Sequence, residues 1–515
     1  MELKRAKASV VDNLLGVISP QAKLRRLNYK DKILFRKYEA ASTAPQMGGW
    51  ITGSGSANNF LGSLTLMRDR SRDLVRNNEH AGRAKSVLTS YTVGAGIKTR
   101  FLADDKKKED ALNKLWKNWT DKKHCDFAGR HNFYGLQQMV MDGITESGEI
   151  LIRKRRSAPT FENPLGYQIQ LLESDHLKAT GFRQKLKNGN YLLQGIEFDP
   201  EGRRVSYHIY KSHPGGPSPF GDSALGKTIE VPANDVMHPY REDRTGQVRG
   251  IPWTAPIIIK LHKYDGFEDA VLTRQRIANC FAVYVHDIAS DDGDDMIGVE
   301  SSTKASELAD AAVTPGTQVN LPAGKTISTP DTPGAPTTHK DYSSVTLHAV
   351  AAGVNVPYFL LTQNYSEVNF SSARMGMLSF YKDIKKWRTN FYYTQFLNEV
   401  VDEFLKMAML AGYDVSGVTY DHTPPRQEMI DPTKEVPAKV KEVRAGLTTL
   451  TSAIEEMGRD PDEHFKQFKK DNEKLDSLGL ILDSDARRVN ATGKAQDDII
   501  IDEDNPAEEN ERSLQ

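Results

Sequence analysis

Two long helix-forming stretches held apart by a segment that cannot be helical constrain this chain more than any other feature. From Ile257 to Val283 there is no proline, and Gly266 is the only glycine. A single glycine costs a helix about 1 kcal/mol, too little to end it. The run predicts one helix of about 25 residues, roughly 40 Å long at 1.5 Å per residue. Residues 287–340 then change character. Asp287, Asp291, Asp292, Asp294, Asp295 and Glu300 come without a basic residue among them, and VTPGTQVNLPAGKTISTPDTPGAPTTHK supplies short strands and Pro/Gly turns. After it, DYSSVTLHAVAAGVNV reads as helix, and Pro357 marks a break before a second long helix. In that helix Met377, Phe380, Ile384, Trp387 and Phe391 repeat at three and four, with Leu397, Val401 and Phe404 extending the stripe. A small loop-rich insertion carried between two helical regions is the expected layout.

N-terminal to this lies a mixed region. Leu74, Ala81, Ala84 and Leu88 fall at helical spacing before Gly94 and Gly96. A charged helix is expected from Lys106 to Lys122 and another from Tyr134 to Thr145. GEILIRKR, YQIQLLE, QGIEFD and RRVSYHIY read as strands, so an α+β domain should extend to about Gly250. C-terminally, Val436, Val440, Val443, Leu447, Leu450 and Ile454 step by four and three as one helical stripe. Asp460, Pro461 and Glu463 make a well-formed helix start.

Charge excludes one class of function. The 515 residues carry 68 Lys and Arg against 69 Asp and Glu, a net −1, which argues against a protein that coats nucleic acid with one basic surface. The balance is uneven along the chain. Ten basic and three acidic residues lie between Met1 and Lys37, and GGWITGSGSANNF then reads as a flexible connector. Residues 497–511 hold eight acidic side chains and no basic one, an expected disordered tail. With only Cys125 and Cys280 there is no disulfide framework and no zinc spacing. No apolar run approaches 18 residues, so the chain is expected to be made and used without crossing a membrane.

Motifs for chemistry are few. Gly221-Asp-Ser-Ala-Leu-Gly226-Lys227-Thr228 satisfies the P-loop pattern GxxxxGK[ST]. Such a loop needs a buried strand before it and a helix N-terminus after it to cradle phosphates. HPGGPSPF and IEVPAND supply neither, and a surface hairpin loop is expected instead. There is no HExxH, GxSxG or CxxC, so no catalytic residue, metal or cofactor is assigned. Asp291–Asp295 lacks the alternating ligands of an EF-hand loop. On the long first helix Lys260, Lys263 and Arg274 share one side, with Asp265 and Asp269 on the other. Most such stripes are solvated faces.

Four stretches, taken in order, resemble the lambda-type branch of the portal proteins of tailed bacteriophages. They are RSRDLVRNNEHAGRAKSVLTSYTVGAGI (from Arg70), GQVRGIPWTAP (from Gly246), AVAAGVNVPYFLLTQNYSEVNFSSARMGMLS (from Ala349) and the helical block Ala438 to Gly458. The resemblance implies a portal-protein fold with a mixed α+β wing, a helical stem, a small β-containing clip and a helical crown. Laid on this chain, it gives a basic arm at 1–60, the wing at 61–253, a stem helix at 254–283 and the clip at 284–339. A second stem helix follows at 340–355, a tunnel loop at 356–371, a long helix returning to the wing at 372–431, the crown at 432–483 and the acidic tail at 484–515.

The implied function is a non-enzymatic ring, normally of twelve copies, at the capsid vertex, through which double-stranded DNA is packaged and ejected. Implied partners are further copies of the chain, the large terminase subunit, major capsid and scaffold proteins, and head-completion or neck proteins, with no membrane. The implied location is the virion, with the host cytoplasm during assembly. On the implied stem, Lys260, Lys263 and Arg274 would contact backbone phosphates or pair with an adjacent subunit. Gln363, Asn364, Tyr365, Ser366, Glu367 and Asn369 would face DNA in the tunnel loop. They carry no positive charge, which suits a strand that must slide, because fixed cations would hold its phosphates. The alternatives are a P-loop ATPase of the packaging machinery and a capsid connector without a channel.

Overall fold

The computed structural model describes residues 55–178, 183–216, 226–279, 284–287, 325–328, 339–366, 368–426, 429, 431–480, 482, 485 and 487. The chain divides into two compact units, Met1–Asn59 and Phe60–Gln515. Only residues 55–59 of the first are described, and the architecture below is that of the second. Residues 1–54 of the basic arm, the acidic cluster at 291–295 and the tail beyond 487 thus lie outside the described residues.

In chain order the elements are α1 (Leu64–Asn77), α2 (Glu79–Thr92), β1 (Lys98–Leu102), α3 (Lys106–Asp121), α4 (Phe133–Ser147), β2 (Leu151–Arg156) and β3 (Tyr167–Leu172). Then come β4 (Gln184–Lys185), β5 (Tyr191–Leu193), β6 (Ile196–Phe198), β7 (Arg204–Tyr210), β8 (Thr228–Pro232) and β9 (Val236–Met237). Next come α5 (Ile258–Asn279), β10 (Tyr284–Asp287), β11 (Lys325–Ser328), α6 (His339–Gly353) and α7 (Tyr358–Thr362). The chain returns through α8 (Phe370–Trp387), a π-helical segment (Arg388–Leu397), α9 (Asn398–Leu410) and β12 (Thr419–Thr423). It ends in α10 (Pro432–Arg444), α11 (Leu450–Glu456) and α12 (Pro461–Ser477).

The fold is α+β. Its sheets are antiparallel: a pair β1-β12, a pair β10-β11, a three-stranded β3-β2-β9 and a five-stranded meander β4-β5-β6-β7-β8. The β10-β11 pair sits between α5 and α6, as the helix-breaking composition there required.

Four expectations need correction. The stripe from Leu74 to Leu88 is two helices, because Asn78 is extended and caps α2: its Oδ1 accepts from the Ala81 N–H at 3.0 Å, and its Nδ2 donates to Asp265 of α5 at 2.7 Å. The stem helix expected over 254–283 runs Ile258–Asn279, with Trp253, Thr254 and Ile257 buried in the turn that precedes it. The loop expected at 356–371 contains α7, and α8 begins at Phe370 rather than 372. The stripe from Val436 to Ile454 is broken after Arg444, where Gly446 takes φ +70°. Asp460 behaves as expected, its Oδ1 accepting from the Glu463 N–H at 2.9 Å.

One hydrophobic cluster joins α2, α3, α4, α8 and α9, and a smaller one backs the five-stranded sheet. Within the first, Trp116, Trp119, Phe133 and Phe404 pack as an aromatic box, with Trp116 edge-on to Phe404 at 4.8 Å. The π-helical segment keeps this packing in register. Buried residues step by four from Trp387 to Phe391, by five from Phe391 to Phe396 and Tyr392 to Leu397, then by four through Val400, Phe404 and Ala408. The interval of five matches i→i+5 bonding. An unbroken α-helix would rotate this face away from the core by more than 100°.

A buried polar node centres on Glu149, just before β2 and almost fully buried. Its Oε1 accepts from Arg68 of α1 and from Arg249 Nε at 2.7 Å; its Oε2 accepts from the Gly250 N–H at 2.6 Å and from His238 Nε2 at 2.9 Å. Arg249 goes on to donate to the carbonyls of Gln194 (3.0 Å) and Ser174 (3.3 Å). Glycines make the approach possible. A Cβ on Gly250 would lie 2.1 Å from the Gly148 carbonyl oxygen, and one on Gly148, at φ +86°, would lie 2.4 Å from the Ile251 carbonyl carbon.

Burial alone would raise the Glu149 carboxyl, but Arg249, Arg68 and His238 hold it well below the usual carboxylate range. Burial lowers Arg68 to about 10 and His238 to about 4. His238 is neutral and donates through Nε2–H, since a third cation beside two guanidiniums would be repelled.

Glu149→Gln should leave two buried guanidiniums without their counter-charge and cost about 3–5 kcal/mol in chemical denaturation. An unchanged midpoint would contradict this role. Both groups titrate lower in the folded state, so acid removes stability. The loss begins as pH falls below 6.5, where His238 would protonate when unfolded, and steepens below 4.5, the ordinary value for Glu149. His238→Gln should remove the upper part of that decline in a pH series of melting temperatures.

Candidate functional site

The segment following α6 is anchored at both ends. α6 ends in a turn in which the Val356 N–H donates to the Ala351 carbonyl at 3.0 Å and Asn355 takes φ +54°. α7 follows, with Leu360 and Leu361 buried against the main core. Arg83 of α2 donates through Nε to the Leu360 carbonyl at 3.0 Å. His348 of α6 stacks on Tyr358 with ring centroids 3.7 Å apart. Gln363 then turns left-handed, at φ 56° and ψ 19°, and ends α7.

Gln363, Asn364, Tyr365, Ser366 and Asn369 are all exposed, while Glu367 lies outside the described residues. The loop is ordered by its own polar groups. Asn364 N–H donates to Thr362 Oγ1 at 3.3 Å, and Ser366 donates to Asn364 Oδ1 through N–H (3.0 Å) and Oγ (2.6 Å). Asn369 serves as N-cap of α8, its Oδ1 accepting from the Ser372 N–H at 2.8 Å. The described residues of the expected cluster, Gln363–Ser366 and Asn369, are thus exposed positions between the end of α7 and the start of α8. The loop's sequence holds no cation; the basic groups at its root are Arg374, 3.9 Å from Glu435, and Lys434, 5.7 Å from the Phe370 ring.

The three stem cations sit on α5, a different element. Lys260 and Lys263 are exposed and Arg274 is half-buried with an interaction of its own. Phe267 falls between them around the helix and packs on Tyr342 (4.4 Å) and His339 (5.6 Å) of α6. The basic stripe thus borders the α5–α6 contact instead of forming a separate face. The residues that anchor the loop, Arg83, His348 and Tyr358, were not singled out from sequence. Arg83 and Leu360 are 277 positions apart, and no local pattern announces that pairing.

Other candidate chemistry resolves plainly. Gly221–Leu225 lie outside the described residues, but Gly226 and the exposed Lys227 lead directly into β8, which pairs with β7 over Thr228–Pro232. A strand stands where a P-loop needs a helix N-terminus. Among the described residues, Glu173, Asp175 and His213 converge, as do Glu197, His208 and Glu230. Arg72 occupies the first group by pairing with both Asp175 and Glu173. The oxygens of Glu197 already accept from Asn188, Asn190 and Ser206 in the second.

Among known proteins, the chain is 25% identical over 496 residues to a "Probable portal protein" of Halomonas phage phiHAP-1, covering 90% of each chain. Solved structures that resemble it include the neck of a native gene transfer agent particle computed with C12 symmetry (TM-score 0.43, 14% identity, 76% of this chain and 94% of that one). The virion of a native gene transfer agent particle is similar to the same degree (TM-score 0.44, 13% identity, 78% and 94%). Residues 43–388 match the family described as "Phage portal protein, lambda family". That match spans most of the chain, including the Glu149 node, both stem helices and the Gln363–Asn369 loop, and the chain belongs to the lambda family of phage portal proteins.

Proposed function

We infer that this chain is the repeating subunit of a closed ring at the capsid vertex, and that duplex DNA passes through the ring during packaging and ejection. Family membership supports this reading, and one observation carries it to the ring. α5 packs along α6 and α1, yet Ile259 is 65% exposed and Leu272 55% exposed. Thirteen residues apart, they point about 140° away from each other around the helix. A head-to-tail ring requires two different surfaces on every subunit, one for each neighbour, and apolar groups on two flanks of one helix meet that need. Val345 of α6 and the crown residues Val440 and Leu447 add exposed apolar area.

Twelve copies in the virion is the reading the portal resemblance favours. The loop Gln363–Asn369 is read as the part nearest DNA, confining the duplex through polar groups that bind phosphate weakly. The β10-β11 region between the stem helices is read as the clip that meets the large terminase subunit during packaging and neck proteins afterwards. Scaffold and major capsid proteins are read as meeting the outer wing. ATP hydrolysis belongs to the separate motor, and the subunits assemble in the host cytoplasm before entering the virion.

Native mass spectrometry of the purified chain should give closed rings, and Ile259→Asp combined with Leu272→Asp should shift them to monomer without lowering the melting temperature. A wild-type chain that stays monomeric under all conditions would overturn the ring. Deleting Gln363–Asn369 should leave rings intact and reduce packaged or retained DNA; normal packaging would remove the loop's assignment. Titration with ATP should show no saturable binding, and micromolar affinity abolished by Lys227→Ala would revive the ATPase alternative.

A further inference from the structure

The C-terminal helices α10, α11 and α12 are attached to the rest of the chain in an unusual way. Their buried apolar residues Ala453 and Ile454 belong to neither hydrophobic cluster. Ion pairs join them to the β1–α3 face. Arg100 of β1 lies within 3.7 Å of Glu455, 3.6 Å of Asp460 and 3.3 Å of Asp462. Lys106 of α3 reaches Asp462 at 3.4 Å, Lys117 reaches Glu463 at 3.5 Å, and Lys466 reaches Asp110 at 3.4 Å. Arg100, Lys106, Asp110, Lys117, Asp460, Asp462, Glu463 and Lys466 line an open cavity of about 400 Å³. Gly458 packs tightly as well, since a Cβ there would come 2.6 Å from the Arg426 nitrogen.

Arg100 is the least exposed cation of the set, at 14%, while Lys106, Lys117 and Lys466 are more than half exposed. Exposed ion pairs are individually weak and are screened over about 10 Å at 0.1 M salt and 3 Å at 1 M. A hydrophobic interface has no such dependence. At its other end the same helical block touches the root of the Gln363–Asn369 loop, with Lys434 over the Phe370 ring and Glu435 beside Arg374.

We propose that residues 432–477 form a lever, latched to the β1–α3 face by carboxylates gathered around Arg100, that charge screening releases and that transmits its release through Lys434 and Glu435 to the root of the loop. The contacts all lie within one chain, so the latch does not depend on the ring reading. Isolated helices of this length are marginal in water. Undocking therefore exposes their amides to exchange while the aromatic core stays closed.

Hydrogen exchange on the assembled, full-length protein tests this. Raising salt from about 50 mM to about 500 mM should speed exchange in 461–477 by about tenfold, speed it in 370–375, and leave α4 unchanged. Arg100→Glu should show the fast pattern already at low salt, and adding Asp460→Lys with Asp462→Lys should restore protection. Salt-independent protection of 461–477, or failure of the charge swap to restore it, would overturn the latch. Response in 461–477 with none in 370–375 would overturn the transmission. Should Arg100→Glu loosen α4 as well, the salt series on the unaltered chain decides.

Discussion

A single buried carboxylate organises the first half of the structure. Glu149 lies where α4 has just ended and β2 is about to begin, and its two oxygens collect groups from α1, from His238 beyond β9 and from the Arg249–Gly250 turn. Isolated in a low-dielectric interior, such a charge would be too costly to keep. Two guanidiniums, an imidazole N–H and a backbone N–H make it tolerable, and that requirement fixes the mutual positions of the elements supplying them. The approach of Gly148 to Gly250 is a consequence: the backbone must come close enough for a main-chain N–H to reach the carboxylate. The next segment, Ile251 to Ile257, leads straight into α5, so the node lies one short turn from the start of that helix.

The long return helix meets a different constraint. Its buried face has to serve the stem-side contacts near Met377 and, beyond, the aromatic box around Phe404. A regular helix cannot hold one face on both over that length when the apolar residues shift by five at Phe391. The π-helical segment absorbs the shift. Arg388 steadies its start by donating to the carbonyls of Thr92 and Tyr91 at the end of α2, where cationic groups satisfy otherwise unpaired acceptors.

Local pattern revealed much of this architecture. Strand alternation in RRVSYHIY, the cap at Asp460 and the helix-breaking stretch between α5 and α6 each follow from chemistry within a few residues, and each was legible. On the C-terminal flank of the P-loop match, a proline-terminated strand follows Lys227, as its sequence implies. What escaped was non-local. The break at Asn78 depends partly on Asp265, nearly two hundred positions away, and the stripe of valines and leucines in the C-terminal block gave no sign of its interruption at Gly446. For the loop, its polar, cation-free composition was visible, whereas its short span was not. Arg83 and the buried Leu360–Leu361 pair hold α7 against the core, so the exposed stretch starts only at Gln363.

The two apolar flanks of α5 also bear on how large an assembly of this chain can be. A head-to-tail contact is a rotation repeated until it closes, so subunit number is stored as the angle between two surfaces rather than in the strength of either. Enlarging the side chain on one flank tilts each neighbour slightly, and the tilt accumulates around the circle. Modest changes at Ile259 or Leu272 would therefore alter ring count before they abolish assembly, making stoichiometry the more sensitive record of that helix's shape.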